Sequence, residues 1–138
     1  MILLDTSGLL AALDPDQHGH VPVARELGAA SPPLLLSPFV LAELEYLVRR
    51  DSGTGAQFEL LQEIGAGVYQ LEHFTSADVE EALTVVERHR DLGVSLADAS
   101  IVVLARRHGA GEVLTLDERH FRVLQGPNGP FRLLPADA

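Results

Sequence analysis

Four carboxylates occupy positions where their surroundings ask for an explanation: Asp5, Glu43, Asp98 and Asp117. Asp5 directly follows the apolar run Ile2-Leu3-Leu4, and Asp117 directly follows Val113-Leu114-Thr115-Leu116. Both read as strand-terminal aspartates, and open parallel sheets collect ligands beyond the carboxyl ends of their strands. An aspartate there also caps helices and starts turns. For either residue alone that ordinary role outweighs a chemical one. Glu43 is more informative, because its helical neighbours three and four positions away are Phe39, Val40, Tyr46 and Leu47. An unpaired carboxylate on such an apolar stripe is expensive. Glu45, by contrast, has Arg49 four residues ahead, a favourable surface pair. The alternative to a metal role for Glu43 is a basic partner from a distant segment. Asp98 interrupts a helix face carrying Val94, Ile101 and Val102. Ser95-Leu96-Ala97-Asp98 also has the spacing of a capping box, and a helix dipole favours an acid in its first turn. The structural and chemical roles of Asp98 therefore balance.

Together the acids say more than singly. Two at strand ends and two on helix faces can converge, and converging like charges raise one another's pKa values. A bound divalent cation relieves that conflict, and all-oxygen ligation favours Mg²⁺ or Mn²⁺ over zinc. Such ions activate water, orient a phosphate and stabilise a leaving oxygen, which is the chemistry of phosphodiester hydrolysis. Thr6 and Ser7 are hydroxyl nucleophiles in principle, but no Gly-x-Ser-x-Gly elbow is present. Capping or support of the carboxylates is the better role for them. The histidines at 18, 20, 73, 89, 108 and 120 form no HExxH pair and read as surface or partner contacts.

The elements that must position these residues follow from short apolar runs alternating with helical stretches. Strands are expected at Ile2–Leu4, Leu34–Leu36, Val68–Leu71, Glu112–Leu116 and Phe131–Leu134. Helices are expected from Asp5 to about Leu13 and over Val21–Ala30. Another runs from the Ser37 cap and Pro38 to about Arg50, followed by Ala56–Ile64. The last two run from Thr75 or Ser76 to about Arg90 and from the Ser95 cap to Gly109. Ser31-Pro32-Pro33 and Gly126–Pro130 read as loops. The alternation implies an α/β, three-layer fold around a mainly parallel five-stranded sheet. The 138 residues suit a single domain spanning 1–138. No apolar run reaches membrane-span length and the opening lacks a basic n-region, so a cytoplasmic protein is the default expectation. No cysteine is present, which excludes thiolate chemistry. The net charge of −10 is unusual for a nucleic-acid binder, although carboxylates that bind metal are neutralised once loaded.

Residues 2–10, Ile-Leu-Leu-Asp-Thr-Ser-Gly-Leu-Leu, resemble the start of PIN domains. Ser37-Pro38 with Val40-Leu41-Ala42-Glu43-Leu44 resembles their second acidic segment, and Leu96-Ala97-Asp98-Ala99-Ser100-Ile101 the third. Leu114-Thr115-Leu116-Asp117 followed by Phe121 resembles the fourth. The order holds over nearly the whole chain, and the wording is most similar to VapC-type toxins of bacterial toxin–antitoxin pairs. The resemblance implies central strands carrying Asp5 and Asp117, and an acidic pocket holding Mg²⁺ or Mn²⁺. It implies an endoribonuclease that cuts structured RNA, transfer or ribosomal, and so inhibits translation. A homodimer and a cognate antitoxin whose tail enters the active-site groove are implied as well. By position, Asp5, Glu43, Asp98 and Asp117 fill the four acidic places and Thr115 the hydroxyl of the last motif. Arg49, Arg50, Arg119 and Arg122, with Arg106 and Arg107, are the basic residues available for RNA. A haloacid-dehalogenase phosphatase would need a second aspartate where Ser7 stands, and a receiver domain would not need Glu43. A housekeeping RNA-processing nuclease and a non-catalytic PIN module are the alternatives within the family.

Overall fold

Apolar runs too short for a helix become the strands. The computed structural model describes residues 1–138. In chain order it contains β1 (Ile2–Leu4), α1 (Thr6–Leu13), α2 (His20–Ala29), β2 (Leu34–Leu36), α3 (Pro38–Gly65), β3 (Gln70–Leu71) and α4 (Ser76–Arg88). A 3₁₀ turn (Arg90–Leu92), α5 (Leu96–His108), β4 (Glu112–Leu114), α6 (Glu118–Phe121), β5 (Gln125–Gly126), β6 (Gly129–Pro130) and β7 (Arg132–Leu134) follow. The main sheet has five strands in the order β3-β2-β1-β4-β7, and every neighbouring pair is parallel. The expectation of a mainly parallel sheet is thus met by a wholly parallel one. Leu3, Leu4, Leu35, Leu36, Val113, Leu114 and Leu133 are buried. Strands covered on both faces read as unbroken apolar runs for this reason, and the helices complete a three-layer α/β/α arrangement.

The chain steps outward from β1 through β2 to β3, then returns to place β4 on the other side of β1. The sheet's order therefore reverses between β1 and β4, where ligands collect in open α/β sheets. The backbone N–H of Asp5 donates to the Leu114 carbonyl at 3.1 Å and pins the two strand ends together. The caps expected at Ser37, Thr75, Ser95 and Gly109 are present. The Ser37 hydroxyl accepts from Phe39 N–H at 3.1 Å with Pro38 at the first helical position. Thr75 with Asp78 and Ser95 with Asp98 form capping boxes, and Gly109 (φ 66°) closes α5.

Some boundaries differ from the sequence expectation. The two helices expected around residues 38–64 form one span, interrupted at Gly53 (φ 86°, ψ −177°). The break is a kink at a residue able to adopt positive φ rather than a loop. β3 is shorter than expected because Val68 lies exposed outside it at the sheet edge. Phe131 is not part of the last strand; it is buried edge-on against Phe121, ring centroids 6.2 Å apart. The Gly126–Pro130 segment, read as a loop, carries the β5–β6 hairpin. No helix is long and apolar enough to cross a membrane.

Candidate active site

The reversal point gathers three of the four acids. Asp5 is buried directly after β1, at the N-cap position of α1, yet its side chain makes no capping hydrogen bond. Its Oδ2 instead accepts from Ser7 Oγ and from Thr115 Oγ1, both at 2.7 Å. Thr115 sits just beyond β4, and its Oγ1 also accepts from the backbone N–H of Asp117 at 2.9 Å. Ser7 Oγ accepts from the N–H of Leu116 at 3.0 Å. The two hydroxyls thus lace the first turn of α1 to the chain leaving β4. Ser7 and Thr115, expected as supports, each donate to Asp5. The Thr6 hydroxyl is buried without a hydrogen-bond partner, while the Thr6 backbone bonds the Asp5 carboxylate and helps hold its pKa down.

Asp98 enters from the first turn of α5. Its capping role is real: Oδ2 accepts from Ser95 N–H at 3.4 Å, and Ser95 Oγ accepts from Asp98 N–H at 3.1 Å. Asp117 likewise caps α6, accepting from His120 N–H at 3.0 Å. Both ordinary explanations hold, and both residues still face the same centre. Oxygen or nitrogen atoms of Asp98, Asp117 and His120 lie within 4.8 Å of one another, close enough for one cation.

His120 was not expected here. Its Nδ1 lies 2.7 Å from Asp117 Oδ2 and 3.5 Å from Asp98 Oδ2, and its Nε2 lies 3.1 Å from the Leu92 carbonyl. A carbonyl oxygen can only accept, so Nε2 carries a proton; two facing carboxylates favour one on Nδ1 as well. Desolvation opposes the charge. The hydrogen bond and charge of Asp117, the Leu92 carbonyl and Asp98 outweigh it and hold His120 above the usual histidine value. The reading of all six histidines as surface or partner contacts is corrected at this position.

The burial expected of Glu43 is corrected: its side chain is exposed. The inward face of α3 is Val40, Leu44 and Val48, all buried, while Tyr46 on the Glu43 side is 52% exposed. No burial cost therefore attaches to Glu43. The start of α3 is nevertheless tied to this centre, because Ser37 Oγ and Ser100 Oγ, both buried, lie 2.6 Å apart. Glu45 pairs with Arg49 at 3.3 Å, as expected.

The electrostatics single out Asp5. Burial pushes its carboxyl up to about 6; the Thr115 and Ser7 hydroxyls pull back, and the charge of Asp98 pushes further up. Asp98 is raised mainly by burial, with Asp117 adding to the rise and the Ser95 and His120 contacts opposing it. A buried carboxylate that strains to stay ionised beside two others makes an oxygen donor set, which suits a hard divalent cation, with His120 bonding Asp117 rather than serving as a ligand. The sign for stability follows. A carboxyl raised in the fold costs stability once ionised, and the cost fades as pH falls through its folded value. His120, raised in the fold, contributes stability that is lost as pH rises through its own folded value. The metal-free protein should therefore be more stable at about pH 5 than at about pH 8. Below about pH 4 the trend reverses, because Glu72, Asp78 and Asp137 are held below their usual range by their contacts. Thermal melts in a chelator across this range measure it; a flat or inverted profile between pH 5 and 8 would mean these groups ionise without cost.

With the geometry in place, the likeness to known proteins is informative. The PIN domain family model matches residues 2–126. The curated Ribonuclease VapC26 of Mycobacterium tuberculosis (strain ATCC 25618 / H37Rv) is 36% identical over 135 residues, 97% of this chain and 100% of that protein. Among solved structures, M. tuberculosis VapC20, described as a Sarcin-Ricin loop cleaving toxin, superposes with a TM-score of 0.79 at 26% identity. It covers 85% of this chain and 90% of its own. VapBC2 from Rickettsia felis, bound to a DNA fragment from its promoter, gives a TM-score of 0.67 at 20% identity over 96% of this chain and 98% of that one. FitAcB from Neisseria gonorrhoeae gives 0.61 at 23%, over 86% and 88%. The last two share the fold. The chain belongs to the PIN-domain family and, within it, to the VapC type.

Proposed function

We propose that this protein is a VapC-type endoribonuclease that hydrolyses phosphodiester bonds of structured RNA, transfer or ribosomal, with Mg²⁺ or Mn²⁺, and so inhibits translation. The observation that carries the reading is the buried Asp5 carboxyl, beside Asp98 and the Asp98–Asp117–His120 group, at the reversal point of the sheet. Asp5, Asp98 and Asp117 would hold the metal, with Glu43 as the exposed fourth acid. When bound, such an ion lowers the pKa of its water and polarises the scissile phosphate. The chain's own residues do the positioning. Ser7 and Thr115 fix one oxygen of Asp5, and Ser95 orients Asp98. His120 holds Asp117 through one ring nitrogen while the Leu92 carbonyl anchors the other. The relatives named as a ribonuclease and as a Sarcin-Ricin loop cleaving toxin support the RNA substrate.

A cognate antitoxin and a homodimer belong to the same proposal, as does action by one domain spanning 1–138. Besides the active-site groove, a second groove of about 240 Å³ at the C-terminal end of α1, lined by none of the four acids, joins Leu13, Val48 and Leu60 to Asp14, Glu59 and Glu63 and would extend the antitoxin's contact. That lining suits a basic amphipathic segment. The test of function is incubation of the purified protein with total cellular RNA and mapping of the new 5′ ends. Discrete cuts in structured RNA are expected with Mn²⁺ or Mg²⁺, none in chelator, and none from Asp98→Asn. Metal-indifferent cutting, or an intact RNA pool under all conditions, would overturn the reading.

A further inference from the structure

All ten basic residues of the chain are arginines. Six are held by carboxylates: Arg49 by Glu45, Arg50 by Asp51, Arg106 by Glu81, Arg107 by Glu72 and Asp78, Arg122 by Glu118 and Asp137, and Arg132 by Glu112. Five of the six basic residues read from sequence as available for RNA, Arg49, Arg50, Arg106, Arg107 and Arg122, are therefore already paired within the fold. The arginines without a carboxylate partner are Arg25, Arg88, Arg90 and Arg119. Arg25 lies on α2 beside Glu26, which borders a hollow with Met1 and Ile2 at the end of β1 opposite Asp5. The other three lie at the acidic centre's end of the molecule. Arg90 begins the 3₁₀ turn whose Leu92 carbonyl meets His120 Nε2 at 3.1 Å, and Arg119 immediately precedes His120. One hydrogen bond therefore brings the two segments bearing Arg90 and Arg119 together, on the outer side of the imidazole that faces Asp117 and Asp98. Both arginines are exposed. Arg88 closes α4 just before them, where the helix dipole accounts for a cation by itself. It also borders, with His89 and Arg106, a hollow of about 60 Å³.

We propose that Arg90 and Arg119 form a phosphate-binding rim that holds the RNA backbone beside the acidic centre, with Arg88 extending it. The proposal rests on the ribonuclease reading and names the residues through which an acidic protein holds a polyanion. A guanidinium without an intramolecular carboxylate offers its donors to a phosphate at no exchange cost, whereas the six paired arginines must first give up a partner. The neighbouring acids Glu87 and Asp91 make no ion pair with the rim, and Glu118 is taken by Arg122. The rim is thus the one basic stretch next to the site that is free to act.

The experiment separates this from the ribonuclease reading. A fluorescein-labelled RNA hairpin is titrated, at several salt concentrations, against protein carrying Asp5→Asn to block cleavage. Arg90→Ala/Arg119→Ala is compared with Arg49→Ala/Arg50→Ala in that background. The rim pair should weaken binding by about threefold to fivefold per arginine and lower the salt slope by about one for each. The control pair should leave both nearly unchanged. In the cleaving protein the rim pair should raise KM, with kcat within about twofold, and Mn²⁺ affinity by calorimetry should stay the same. Hairpin binding unaffected by the rim pair, or a larger loss from Arg49→Ala/Arg50→Ala, overturns the rim. If the wild type cuts no RNA but hairpin binding still depends on Arg90 and Arg119, the ribonuclease reading falls and the rim stands.

Discussion

Asp5→Asn should raise the melting temperature of the metal-free protein by about 5–10 °C near neutral pH, while lowering RNA cleavage at least about a hundredfold. The two effects have one cause. The Asp5 carboxyl is 4% exposed and its pKa is pushed up from 3.8 to about 6, so ionising it in the fold costs on the order of 3 kcal/mol. An asparagine keeps an oxygen to accept from Ser7 and Thr115, and its amide offers a donor toward Asp98 instead of a second negative charge. The hydroxyl lacing of α1 to the end of β4 therefore survives and the repulsion does not. Metal reverses the order. A cation that binds only the folded wild type stabilises it by mass action. Millimolar Mn²⁺ should thus raise the wild-type melting temperature and leave Asp5→Asn nearly unmoved. Scanning fluorimetry of both proteins with chelator and with Mn²⁺ checks both halves. If Asp5→Asn melts lower without metal, the carboxylate is a net stabiliser and the centre is not poised for a cation. A stable variant that still responds fully to Mn²⁺ would place the ion elsewhere.

Asp5 carries this cost and Glu43 does not, because Asp5 is buried at a strand end and Glu43 is exposed. The strand ends were legible, since continuous apolar runs bounded by Asp leave little choice for a parallel sheet. So were the helix starts, since Ser37, Thr75 and Ser95 cap as their sequences imply. The burial expected of Glu43 fails because only Val40, among its neighbours at three and four positions, belongs to the inward face. The stripe Val40-Leu44-Val48 is the one that packs, and Phe39, Tyr46 and Leu47 lie off it. His120 was missed because α6 is four residues long, too short for periodicity to announce. The Asp-x-x-His spacing after an apolar run carried the only signal, since i and i+3 meet on one helical turn. Which arginines are free was legible only where the partner is local, as for Arg49 with Glu45. Arg122 is neutralised by Asp137, fifteen residues away in sequence, and Arg107 by Glu72, thirty-five away. Only the folded chain brings such partners together.

Gly8→Ala should cost about 2–4 kcal/mol of stability, although alanine is the better helix former by about 1 kcal/mol. Gly8 lies in the first half of α1, between Ser7 and Leu9, at the crossing of that helix over the end of β4. A methyl group built on it would sit 2.3 Å from the Leu114 carbonyl oxygen and 2.7 Å from its carbonyl carbon. Both are backbone atoms, and that oxygen already accepts the N–H of Asp5. Nothing there can turn aside as a flexible side chain would. To make room, α1 must lift from β4. Such a lift stretches the Ser7–Leu116 and Thr115–Asp5 hydrogen bonds, which hold the buried carboxylate against the rest of the centre. Gly28, in α2, provides the control, since a methyl group there meets nothing within 4 Å. Gly28→Ala should be neutral or stabilising by a few tenths of a kcal/mol up to about 1 kcal/mol. Chemical denaturation of the two variants, with the Mn²⁺-induced shift measured on each, separates packing from chemistry. Gly28→Ala should keep the full metal shift. Gly8→Ala should lose most of it even under conditions where the variant remains folded, because the metal response depends on the approach of α1 to β4. Equal stabilities for the two variants would show that α1 and β4 have slack between them, and that the close approach does not set the position of Asp5.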